Sequence, residues 1–150
     1  MASGESRGER ALLYAAIFFA VGFTVHNGDH IRRGATSVTT ELFWAGNAAA
    51  VVSVVAIVLV LTRHRLAPVV AVWAGFPLAI GFAAAHMLPT WSALSDSFID
   101  GHVSVFSWVA SLLEIAGALA LGIAGLYVLR QRGGIRVGPA ERGAVSPSRS

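Results

Sequence analysis

The sequence ELFWAGNAAAVVSVVAIVLVLT, residues 41–62, decides the fold of this protein because its only charged side chain, Glu41, lies at its start. A run of about 20 predominantly apolar residues is long enough to cross the hydrocarbon core of a bilayer as an α-helix. Thr39 or Thr40 can cap this helix, and the basic residues 63–65 end it. The stretch therefore predicts a transmembrane helix.

Further apolar runs lie on both sides of this stretch, at about residues 11–31, 67–88 and 103–129. The chain of 150 residues is 55% hydrophobic and 13% charged, whereas a soluble domain carries roughly 25% charged residues. We therefore predict an all-α fold, an integral membrane antiparallel four-helix bundle with short loops. Residues 1–10 are polar and residues 133–150 are rich in Gly, Arg, Pro and Ser, so we predict that both flank a transmembrane domain of residues 11–132 as disordered segments.

The basic residues, all arginines, are divided unequally between the two ends of this bundle. The N-terminus, the second loop and the C-terminal tail hold nine of the eleven, and the first loop holds the other two. Cytoplasmic connections of membrane proteins carry the excess of Lys and Arg. We therefore predict a multi-pass protein of the plasma membrane with both termini in the cytoplasm, and we expect the basic tail to lie against anionic lipid rather than nucleic acid.

Several classes of site are excluded by residues that the sequence lacks. There is no cysteine, so any metal must be held by nitrogen and oxygen ligands. Neither the glycine-rich phosphate loop ending in Gly-Lys nor the glycine fingerprint of dinucleotide-binding proteins occurs. A basic stripe interleaved with aromatic residues is also missing, which argues against a nucleic-acid partner.

Four of the five histidines and all three aspartates fall at the predicted outer ends of the helices. His26 and His30 are four residues apart and share one helix face, where two imidazoles can bind one metal ion. Asp29 is a candidate ligand or a partner that orients an imidazole, and His86 adds a ligand from another helix. We therefore predict a site for zinc, copper or iron at His26, Asp29, His30 and His86, or for haem b between His26 and His86.

Glu114 lies about a dozen residues inside the fourth predicted helix, far from any Lys or Arg along the chain. An ionised carboxylate at that depth is costly unless it is paired, so the side chain should face the bundle interior. We identify Glu114 as the candidate catalytic acid or proton carrier, and a metal ligand or a neutral, hydrogen-bonded core acid are the other roles that fit. Its candidate partners are Asn47, Ser111 and the pair of His26 and His86.

The leading hypothesis is a metal or haem centre near the outer leaflet, with redox or hydrolytic chemistry on an apolar substrate. The competing interpretation is ordinary polar packing at the membrane interface, in which Asp29 pairs with Arg32 or Arg33.

A second hypothesis is a non-enzymatic accessory or scaffold subunit, which would form a homo-oligomer or a larger complex through an Ala/Gly face of the fourth helix. That face is formed by Ala116, Ala120 and Ala124 with Gly117, Gly122 and Gly125. The third hypothesis is a small proton-coupled transporter that uses Glu114 as its carrier.

Overall fold

A computed structural model describes residues 7–34 and 37–134, and it confirms the all-helical fold. The helices are α1 (Arg7–Arg33), α2 (Thr40–Leu61), α3 (Ala67–Met87) and α4 (Val105–Gly134). Each is long and apolar enough to cross a membrane, and the four pack together. Successive helices alternate in direction, so the C-termini of α1 and α3 lie with the N-termini of α2 and α4. This end carries the three histidines of the predicted site, and we call it the histidine end.

Local signals in the sequence set the ends of α2. Thr39 is the N-cap, and its side chain accepts a hydrogen bond of 3.1 Å from the backbone N–H of Leu42. At the other end, Arg63 adopts a left-handed conformation with φ 54°, and the backbone N–H of His64 donates to the carbonyl of Leu59. Helices that end in this way usually have glycine at the left-handed position. A residue with a side chain adopts that conformation at a free-energy cost of about 1–2 kcal/mol.

Glycines bring α4 into backbone contact with α1 and α3. A methyl group on Gly117 would lie 2.7 Å from the Cα of Phe19, and one on Gly75 would lie 2.5 Å from the backbone nitrogen of Gly122. Of the predicted Ala/Gly face, the three glycines and Ala124 are thus buried inside the chain, while Ala116 is exposed. Packing within the chain therefore uses much of the surface that we predicted to contact a partner. The homo-oligomer or larger complex stays a prediction.

The second helix packs on the bundle through only part of its length. Its buried side chains, Ser53, Ala56, Ile57 and Val60, all belong to the C-terminal half. The N-terminal half is largely exposed, and Trp44 keeps 66% of its surface accessible. The core of the bundle therefore consists of α1, α3 and α4 along their lengths, and α2 closes it at one end.

Two helices extend beyond the predicted spans. Residues 7–10 and 133–134, predicted to be disordered, belong to the first turn of α1 and the last turn of α4, which continues past residue 129 to Gly134. Hydropathy marks only the part of a helix that crosses hydrocarbon, whereas Arg, Glu and Gln remain good helix formers in the headgroup region and in water. The remaining segments of the predicted disorder, residues 1–6 and 135–150, lie outside the described residues.

Replacing Gly75 with Ala should destabilise the fold, because the added methyl group would collide with the backbone of α4. Overpacking of this kind costs about 1–3 kcal/mol. Gly81→Ala on the same helix is the matched control, since a methyl group there meets nothing within 4 Å. Thermal unfolding in mild detergent should show a lower melting temperature for Gly75→Ala only, and equal melting of the two variants would contradict the packing described above.

Candidate functional site

Three histidines from two helices converge at the histidine end. Each of His26, His30 and His86 offers a ring nitrogen that lies within 4.8 Å of those of the other two. His26 and His30 stand one turn apart on α1, and their Nε2 atoms are 3.0 Å apart. The ring of His86, on α3, lies 4.8 Å from the ring of His26 between centroids. The sequence placed these residues at one end of the bundle, and the tertiary structure brings them into contact.

The cluster is largely shielded from the surroundings of the bundle. His26 and His86 keep only 4% and 3% of their surface accessible, while His30 is partly buried. Phe98 packs on the ring of His86 with centroids 4.7 Å apart, and Phe82 lies 6.4 Å from the ring of His26. Polar interactions among the histidines are therefore strengthened by a surrounding of low polarity.

The segment that follows α3 folds back and orients His86. The Nδ1 atom of His86 lies 3.2 Å from the backbone carbonyl of Asp96, and the backbone N–H of Phe98 donates to the carbonyl of His86. When Nδ1–H of a neutral imidazole donates to a carbonyl, the free lone pair of the ring is on Nε2. The contact with Asp96 thus makes Nε2 of His86 the nitrogen that is available to a ligand.

The carboxylate of Asp96 is in turn held by Arg33 at the end of α1. Two guanidinium nitrogens donate to its two oxygens at 2.7 Å each. Burial raises the pKa of Asp96, and the positive charge of Arg33 opposes that shift. The ion pair joins the end of α1, which carries His26 and His30, to the segment that orients His86.

Glu114 enters the site from α4. Its side chain is 1% exposed, and Oε2 lies 3.5 Å from Nε2 of His26. Among the described residues, neither Oε2 of Glu114 nor the hydroxyl of Ser111 has a hydrogen-bond partner. Asn47, another candidate partner, instead faces outward and donates to the carbonyl of Phe43. Of the predicted partners, His26 is therefore the one whose side chain lies beside the carboxylate of Glu114.

Asp29 lies apart from the three histidines. Its Oδ1 atom accepts hydrogen bonds from Nε of Arg32 at 3.0 Å and from Nη2 at 2.6 Å. The guanidinium of Arg32 also donates to the hydroxyls of Ser104 and Ser107 near the start of α4. At 100° per residue, Asp29 and His30 point in directions a quarter-turn apart, so Asp29 turns toward α4 while His30 turns toward α3. The pairing with Arg32 that the competing interpretation required is present.

The remaining polar residues of the α3–α4 connection lie outside the cluster. The backbone N–H of Thr90 donates to the carboxylate of Asp100 at 2.6 Å and lowers its pKa. His102 is exposed.

Sequence reasoning missed the roles of Arg33 and Phe98 in positioning His86. The sequence did contain a signal for the pairing of Arg33 with Asp96, because the arginines of the first loop and the aspartates of the third loop lie at the same end of the bundle. It contained no signal for the contact of Phe98 with His86.

No protein-family model matches the chain, and no curated protein or solved structure matches it. The chemistry of the site therefore follows from its own donor atoms. Three imidazole nitrogens and a nearby carboxylate form a set that suits borderline transition metals. The same groups, without an ion, can form a hydrogen-bonded cluster in which one imidazole donates to the other across the 3.0 Å contact of His26 and His30.

Replacing Arg33 with Gln should destabilise the protein by about 3 kcal/mol, because it leaves the carboxylate of Asp96 buried without its cation. The matched control is Arg132→Gln, whose pair with Glu9 is about half exposed on both sides, and which should cost less than about 1 kcal/mol. Melting temperatures in the same detergent compare the two variants. A larger loss for Arg132→Gln than for Arg33→Gln would show that the buried pair does not hold the loop.

Proposed function

We propose that this protein binds one transition-metal ion within its membrane domain through His26, His30 and His86, with Glu114 beside the ion. The observation that carries the proposal is the convergence of three imidazoles from α1 and α3 within 4.8 Å. Two ligands at about 2.05 Å from a tetrahedral ion are about 3.3 Å apart. The separations of 3.0 Å between His26 and His30 and of 3.5 Å between His26 and Glu114 are close to that value.

The burial of Glu114 supports the same proposal. A carboxylate that is 1% exposed is stable in its ionised form only beside a positive charge. Arg32 and Arg33 are already paired with Asp29 and Asp96. A divalent ion held by three neutral imidazoles would supply the missing charge, and Glu114 would reduce the cost of keeping that ion away from water.

The contacts favour a single ion over haem b. A haem held by His26 and His86 must separate their two rings by the thickness of the macrocycle. The rings instead touch edge to face, with centroids 4.8 Å apart and planes at 72°. Zinc is the ion that fits best, because three histidines with one open position form a common zinc site, and copper and iron are the alternatives.

Such an ion would supply an activated water or a polarising charge at its open position. With zinc, Glu114 would accept or donate the proton at that position, so hydrolytic chemistry on an apolar substrate from the bilayer is the activity we propose. Redox chemistry would require copper or iron in place of zinc. The accessory-subunit hypothesis instead predicts that every histidine tolerates Gln, because the cluster then serves packing alone. In the transporter hypothesis, Glu114→Gln abolishes proton flux into vesicles whether or not metal is present.

Metal analysis of the purified protein should find one ion per chain after incubation with Zn²⁺, Cu²⁺ or Fe²⁺ and removal of excess. His26→Gln and His86→Gln should lose the ion, since each removes one of three ligands. Glu114→Gln should bind the ion more weakly by tenfold or more, in line with losses at groups that support a metal. Loading with Co²⁺ should give the optical bands of a tetrahedral ion.

The chain offers two matched controls for this experiment, His64→Gln and His102→Gln. Both histidines are exposed and lie outside the cluster, so both variants should keep the ion. Wild-type protein that stays empty with all three metals, or equal metal loss in all four histidine variants, would refute the metal site.

We also propose that the protein lies in the plasma membrane, with both termini in the cytoplasm and the histidine end facing outward. The distribution of arginines supports this orientation. Since the chain has no cysteine, His102→Cys and His64→Cys each create one thiol, at opposite ends of the bundle. A membrane-impermeant maleimide should label His102→Cys on intact cells and His64→Cys only after permeabilisation. The opposite labelling pattern would reverse the orientation.

A further inference from the structure

The end of the bundle opposite the histidines has its own cavity. It is about 110 Å³ in volume and lies where α1, α2, α3 and α4 meet. Its apolar floor includes Leu12, Val60 and Pro68, and its polar side chains are those of Glu9, Arg63, His64 and Arg132. An apolar floor with a cationic rim matches a molecule that has an anionic head and a hydrocarbon tail.

Charge is strongly asymmetric around this cavity. Among the described residues, six exposed arginines lie at this end, Arg7, Arg10, Arg63, Arg65, Arg130 and Arg132. In the described part of the chain, one acidic side chain, Glu9, lies near them, and its Oε1 is 3.7 Å from Nη2 of Arg132. At the histidine end, each of the two arginines is paired with an aspartate. The cavity therefore lies in a positive field that Glu9 offsets only in part.

The cavity also lies at the depth of lipid headgroups. Helix α2 has 22 residues and is about 33 Å long, close to the ~30 Å thickness of the hydrocarbon core. Arg63 follows Thr62, the C-cap of this helix, at the level where the phosphates of a bilayer are found. A soluble anion has no reason to prefer the apolar floor, so the position favours a lipid over free phosphate.

The conformation of Arg63 is a second observation at the same place. It is the one non-glycine residue with positive φ in the described part of the chain. Glycine would end α2 there without strain, so an arginine is kept at a conformational cost. Residues held in such conformations cluster at sites where the side chain binds something. Arginine is also the side chain best suited to a phosphate, because its planar fork can donate two parallel hydrogen bonds.

We propose that this cavity binds the headgroup of one anionic phospholipid, with Arg63 and Arg132 on its phosphate and the start of an acyl chain on Leu12, Val60 and Pro68. Basic pockets between helices at the cytoplasmic face of membrane proteins bind anionic headgroups in this way. The site is independent of the metal site, because the two lie at opposite ends of the bundle and share no residue.

The test is a binding measurement by native mass spectrometry on delipidated protein, with phosphatidylglycerol and phosphatidylcholine of identical chains. One phosphatidylglycerol should bind at least about tenfold more tightly than phosphatidylcholine. Arg63→Gly should bind phosphatidylglycerol roughly fivefold more weakly, as expected for one arginine at a membrane surface. The same variant should remain folded, since glycine adopts the left-handed conformation at position 63 without strain. Its melting temperature is measured alongside, so that weaker binding is not confused with unfolding.

Arg130→Gln is the matched control, because it removes one exposed arginine at the same end that does not line the cavity. It should retain the lipid. Equal weakening in Arg63→Gly and Arg130→Gln would assign the effect to diffuse charge and overturn the site, as would equal binding of the two lipids by the wild type. Displacement of the lipid by inorganic phosphate at equal concentration would show a free-phosphate site instead.

Discussion

The close approach of α1 to α4 at Gly22 is the contact on which the candidate site depends. A methyl group at this position would lie 2.7 Å from the carbonyl oxygen of Leu113 and 2.8 Å from the backbone nitrogen of Glu114. Hydrophobic driving force between helices is weak in lipid, so such backbone contacts supply much of the attraction through van der Waals packing. His26 stands one turn beyond Gly22 on α1, and the approach of the two backbones therefore brings its imidazole to the carboxylate of Glu114.

The same close packing separates the polar chemistry of the protein into two regions. At the histidine end, the ion pair of Asp96 and Arg33 is buried, and its carboxylate and guanidinium keep only 11% and 12% of their surface accessible. At the opposite end the arginines are exposed, and the pair of Glu9 and Arg132 is half accessible. Buried pairs fix geometry because breaking them is costly, whereas exposed pairs leave charge available to the surroundings. The first arrangement suits a positioned site and the second suits a lipid surface.

The connection between α3 and α4 carries the positioning of the cluster. Its backbone hydrogen-bonds to the end of α3, from Asp96 to Ala85 and from Phe98 to His86. The loop thus contributes a carbonyl for the imidazole of His86, a carboxylate for Arg33 and an aromatic ring against the imidazole. A histidine held by this carbonyl and this aromatic ring loses little conformational freedom on binding a ligand, which is the physical advantage of a preorganised site.

The sequence by itself determined the number of helices, their approximate bounds and their apolar character, because a membrane span needs a long run of residues whose transfer to lipid is favourable. It also determined that His26 and His30 share a face, since helical periodicity fixes neighbours four residues apart. Helix rotation and contact partners are different, because an apolar helix in lipid has no polar face to mark its orientation. Only the tertiary structure decided that His86 meets His26, that Glu114 lies beside them, and that Asp29 turns away to Arg32. Those outcomes depend on where glycines let backbones touch and on how one loop folds back, and both are set by packing across the whole bundle.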